Sequence, residues 1–172
     1  MERPGPEEYH EFYGGYVAAV TRPVDELLEN QPERLRRLCQ GLSDDGWLHR
    51  YAEGKWSVKQ VVGHVTDAER LFSHRAFRIG RGDETPLPGF DENFYVEQGD
   101  FDARPGERLL EDFARVRAAT LSQLVPYGPE HLSHSAVASG HSITLRALIY
   151  ILAGHAEHHL AVLRERYGLP RP

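Results

Sequence analysis

The stretch LRALIYILAGHAEHHLAVLRERYG, from Leu145 to Gly168, constrains this chain more than any other. Leu145, Leu148, Leu152, His155, His159 and Val162 fall at spacings of three and four, which is one continuous stripe of an α-helix. A seam that faces a core calls for Leu or Val at each of those places, and here two of them are His. Four residues apart, the two rings sit about one turn, roughly 6 Å, from each other along the axis, so both can reach one ion. The other strongly helical segment, SVKQVVGHVTDAERLF, opens on Ser57 as N-cap and carries Val58, Val61, Val65, Ala68 and Phe72 at helical spacing to about Ile79. His64 lies on that inner face.

The rest of the chain supplies two more helices and two long connections. A helix is expected from about Pro23 to Gly41 with Leu27, Leu28, Leu35 and Leu38 inward, and Pro32 predicts a kink or restart within it. Another runs from about Pro105 or Gly106 to Leu124. Residues 1–22, broken by Pro4, Pro6 and Gly14-Gly15, read as irregular chain packed across the outside, with at most a helical turn. Residues 80–106 form a long connection of the kind that lies over functional surfaces, with a short helix expected over Asp91 to Gln98. The polar stretch after Leu124 has room for a short extended piece before Thr144 caps the last helix. These elements make an all-α chain, a four-helix bundle with long crossover connections, in one domain spanning 1–172.

Charge and composition close off several classes of function. Twenty basic residues against 26 acidic give a net charge of −6, which argues against a nucleic-acid partner held by phosphate neutralisation. The longest uncharged apolar run, Ala147 to Gly154, is too short to cross a membrane. Cys39 is the only cysteine and the start of the chain is polar, so a cytoplasmic, reducing setting is expected. Ten His are the anomaly.

Two buried imidazoles on one seam are costly without a partner, and a third on a neighbouring inner face makes a shared metal the better account of His64, His155 and His159. Three neutral ligands leave a tetrahedral ion one open position for water or substrate. The zinc-protease pattern is excluded because Ala156, not Glu, follows the first His, and Glu157 points away from the pair. Neither core helix holds the E-x-x-H motif of a di-iron bundle. His158 is rotated about 100° off the seam, as expected of a surface or supporting residue. His49, His131, His134 and His141 sit in polar loops, where exposure is the default. Arg75 shares a stripe with His64, Ala68 and Leu71, so it either faces the cavity mouth to hold an anionic substrate group or pairs with an acid on another helix. Asp67 and Glu69 flank His64 as acceptors for its spare N–H or as solvated acids. Trp47 and Trp56 read as aromatics at the edge of the core.

KWSVKQVVGHVTDAERLFSHRAFRIGRGD, PLPGFDENFYV and SITLRALIYILAGHAEHHLAVLRERYG together resemble the DinB-like, or YfiT-like, superfamily of metalloenzymes. The resemblance covers roughly positions 51–168 by motif. It implies a four-helix bundle, frequent homodimers, and a divalent metal, zinc or nickel, on His64, His155 and His159. Relatives of this kind include transferases of low-molecular-weight thiols and metal-dependent hydrolases. The expectation ranked first is a thiol S-transferase acting on a small-molecule thiol and an electrophile. Hydrolysis by metal-activated water comes second, and a non-catalytic metal-binding, stress-related dimer third.

Overall fold

The computed structural model describes residues 1–170. The last two positions of the domain span expected above lie outside the described residues. Four long helices carry the fold: α2 (Val24–Leu38), α4 (Val58–Gly80), α6 (Gly106–Leu124) and α7 (Leu145–Glu165). Each of α2 and α4 packs on both α6 and α7, so the four close into the expected bundle. Ser57 starts α4 by accepting from Gln60 N while the Gln60 side chain accepts from Ser57 N, a complete capping box. Thr144 caps α7 by accepting from Ala147 N, and Gly168, at φ +69°, follows the end of that helix.

Pro32 does not restart α2, which runs unbroken through it from Val24 to Leu38. A proline leaves the carbonyl four residues earlier without its helical donor. That carbonyl, Leu28 O, accepts instead from Arg117 Nη1 of α6 at 2.9 Å, so the defect is repaired from outside the helix. Arg117 is 1% exposed and forks onto Glu69 of α4 at 2.7 and 2.9 Å, while its Nη1 also donates to Gln31 Oε1 at 2.6 Å. Gln31 Nε2 donates onward to Ala153 O and Glu157 of α7. One polar layer therefore joins all four helices. It lies where the core changes from one apolar cluster, with Leu28, Ala68 and Leu152, to another, with Leu35, Val65 and Leu160.

The first 22 residues are not an outer strap. They form α1 (Gly14–Ala19), and Val17 and Val20 are buried in the core. α1 crosses α7 at Gly154, where a Cβ would lie 1.9 Å from Tyr16 O; only a residue without one permits the approach. Between α2 and α4 the chain forms α3 (Asp44–Leu48), which buries Trp47 against Gly106. In the crossover, α5 (Glu92–Gln98) forms as expected, with Asp91 capping Asn93 N and Phe94 N. The polar stretch after α6 folds into a hairpin, β1 (Ser135–Ala138) paired antiparallel with β2 (His141–Thr144). Its tip, Ser139-Gly140, takes φ +53° and +84°, the left-handed pair that a two-residue hairpin turn requires. Leu87 of the crossover bonds to the hairpin at Val137 O and Ser139 N, fixing the two together.

Candidate metal centre

α4 and α7 bring His64, His155 and His159 together, with one ring nitrogen from each within 4.8 Å of the others. His64 Nε2 and His155 Nε2 stand 3.1 Å apart. The ring centroids of the three lie 4.6 to 5.0 Å apart, as near neighbours around one point. Burial pushes the His64 pKa down to about 4, with a smaller contribution from His158. Burial, then the neighbouring His rings, holds His155 and His159 well below the ordinary imidazole value. All three are thus neutral, with lone pairs available, in the protonation state a metal requires. His159 Nδ1 is buried without a hydrogen-bond partner, and two or three imidazoles facing one another cannot all satisfy one another by N–H donation. A divalent cation fits this donor set, since neutral imidazole suits zinc, nickel and their neighbours.

The walls are aromatic. Trp56 lies 4.7 Å from His64 centroid to centroid, Phe72 meets His155 edge-on at 5.6 Å, and Tyr16 meets it at 5.2 Å. Beyond them opens a cavity of about 480 Å³ that the triad floors, with Tyr13, Phe90, His10 and His141 among its lining. Sequence reasoning missed Tyr13 and Tyr16, because a broken, Gly-rich leader gives no sign that it docks on α7. Trp56 stands at the core edge as expected, and its indole also packs on His64. His158 lines the cavity beside His159, and burial and Arg166 lower its pKa. His10 and His141 stack at 3.7 Å on the cavity wall, one from the leader and one from the hairpin.

The supporting residues are arranged differently from the sequence-based expectation. Arg75 is buried rather than facing the mouth, and among the described residues it pairs with no acid. Its Nη2 donates to Pro88 O at 2.7 Å and Ser139 Oγ at 3.0 Å, fastening crossover and hairpin tip behind the cavity wall. Glu69 serves Arg117 instead of His64, and Asp67 pairs with Arg70 at 2.9 Å. Glu157 turns away from the triad, as its spacing required, and is held by Arg34 and Gln31 of α2.

The chain is similar to known proteins over most of its length. The chain is 30% identical over 143 residues to a protein of Geobacillus kaustophilus, covering 80% of each. It is 27% identical over 139 residues to one of Oceanobacillus iheyensis, covering 80% and 79%. Both carry the name "Putative metal-dependent hydrolase". The solved structure of YfiT from Bacillus subtilis, described as a probable metal-dependent hydrolase with an unusual four-helix bundle topology, superposes with a TM-score of 0.76 at 21% identity. That match covers 99% of this chain and 95% of the other, and it shows the shared fold. The family model of the DinB superfamily matches residues 27–163, so this chain belongs to the DinB superfamily.

Proposed function

We propose that this protein is a metal-dependent hydrolase of small organic esters or amides. The observation that carries the reading is the convergence of three neutral imidazoles, two buried and one half-buried, from two helices in the lining of an aromatic cavity. A divalent ion bound there supplies a Lewis acid and lowers the pKa of water to about 7. The chain's own residues do the rest. His64, His155 and His159 hold the ion, and Trp56, Phe72 and Tyr16 pack around their rings. Tyr13, Phe90 and Phe72 give the substrate an apolar bed. His158 enters neutral and presents a ring to the same cavity, a suitable acceptor for the proton released on attack. Arg75 keeps the crossover and hairpin walls in register. The buried Cys39 thiol, pushed up to about 12 chiefly by burial, takes no part and suits a cytosolic chain with nothing to oxidise.

Thiol transfer, ranked first from sequence, finds no support in the relatives' names, which speak for hydrolysis. The test is elemental analysis of protein lacking a poly-His tag, followed by an ester and amide screen with and without a thiol. We expect about one divalent ion per chain, turnover without thiol, and loss of both in His155→Ala. Turnover that demands a thiol and consumes it one for one refutes hydrolysis. A full complement of ion in His155→Ala refutes the site itself.

A further inference from the structure

A second cavity, of about 350 Å³, shares Trp56, His158 and His159 with the first, so the two meet at the His159 side of the triad. Its character is opposite. Lys55 and Arg166 line it, and among its lining residues there is no carboxylate, in a chain of net charge −6. Several arginines elsewhere are paired with acids: Arg34 with Glu157, Arg78 with Asp83, Arg117 with Glu69, Arg146 with Glu8. Among the described residues, neither the Lys55 ammonium nor the Arg166 guanidinium has an acidic partner within 4.0 Å. The Arg166 guanidinium carbon lies 5.8 Å from the Tyr51 ring centroid, and Tyr51 packs edge-on against Tyr167 at 5.0 Å. Tyr167 in turn donates its hydroxyl to Trp56 O at 2.6 Å. The cation therefore sits on an aromatic chain tied to the residue that shields His64.

Position fixes the ruler. His155, His159, Val162 and Arg166 continue one stripe of α7 and its last turn, and seven residues from His159 to Arg166 are about 10 Å of helix axis. We propose that Lys55 and Arg166 bind an anionic group, carboxylate or phosphate, at the far end of the substrate. The inference rests on the hydrolase reading and narrows it. The substrate class is an amide or ester that joins an aromatic or apolar acyl group to an acid-bearing amine or alcohol. The acyl part occupies the aromatic cavity, the acid the cationic one, and the scissile bond lies where the cavities meet. Water oxygen adds to the acyl carbon, the C–N or C–O bond breaks, and the departing amine or alcohol takes up a proton.

Calorimetric binding separates this inference from the activity. The probes are N-phenylacetyl-6-aminohexanoate, its uncharged carboxamide, and the matching aminoalkyl phosphate, titrated into metal-loaded protein. We expect at least one anion to bind about tenfold more tightly than the carboxamide, as a charge-assisted pair affords, with the preference shrinking at high salt. A double variant, Lys55→Gln with Arg166→Gln, should lose the preference and keep carboxamide binding. The preference should persist in chelator-treated protein and in His155→Ala. If the protein hydrolyses neutral esters yet shows no preference for either anion, the cationic subsite is refuted and the hydrolase reading stands. If the preference survives the double variant but vanishes on chelation, the anion sits on the triad and the inference is refuted. A preference with the expected variant pattern but no turnover supports the subsite and counts against hydrolysis.

Discussion

Acid should destabilise the metal-free protein in a window set by its three core imidazoles. An unfolded His titrates near ~6.5, and burial holds His64 at about 4 in the folded chain. Between those values the unfolded state binds more protons than the folded state, so stability falls as pH falls. A difference of about 2.5 units is worth about 3 kcal/mol from His64 alone. His155 and His159 act in the same direction, because their folded pKa values are also depressed. For a chain of this length about 3 kcal/mol corresponds to roughly 10 °C in Tm. The measurement is thermal unfolding in chelator from pH 7 to 4.5. His64→Leu should flatten the slope by up to about 1.4 kcal/mol per pH unit. Metal-loaded protein should hold its Tm until protons displace the ion, because an ion that binds only the folded state stabilises it by mass action. Equal slopes for wild type and His64→Leu in chelator would refute the account of three neutral, desolvated rings.

Two substitutions test how the fold positions the site. Arg117→Met strands Glu69 in the core and removes the donor of Leu28 O, so it should cost about 3–5 kcal/mol, read by chemical denaturation. Arg117→Met combined with Glu69→Leu should recover most of that loss, and failure to recover would show that the carboxylate's isolation is not the cause. Gly154→Ala should destabilise by about 1–3 kcal/mol through overpacking against Tyr16 O, although helix propensity alone favours Ala by about 1 kcal/mol. Faster proteolysis within residues 1–20 should accompany it, and a stabilised Gly154→Ala would refute the contact.

The bundle and the triad were legible because each rests on a signal contained within one helix. Ser57 with Gln60 and Thr144 mark two starts, and a period of three and four runs unbroken through α4 and α7. His155 and His159 stand out as polar residues on an apolar seam. The polar layer escapes such reading, which gives Glu69 to His64 or to solvent and Arg117 no partner, although the spacing holds it: Leu110, Phe113, Arg117 and Thr120 follow helical spacing on α6, and Val62, Val65, Glu69 and Phe72 on α4. An Arg on one inner face and a Glu on another are complementary before any coordinates exist. What local reasoning cannot reach is a residue whose behaviour is decided from outside its own helix. Pro32 should break α2 on local grounds, and does not, because Arg117 supplies the missing donor from 86 residues away in sequence to Gln31 and 89 to Leu28. Gly154 looks like a weak point in α7 until Tyr16 O is placed against it. The two kinds of residue meet at the His triad. The buried charge of Arg117 is among the influences that lower the His155 pKa, after burial and the neighbouring imidazoles. A proton on His155 would therefore face a buried cation as well as an apolar wall. The network that mends α2 thereby also helps keep the His155 ring neutral, and Glu69, by neutralising Arg117, makes that cation tolerable in the core.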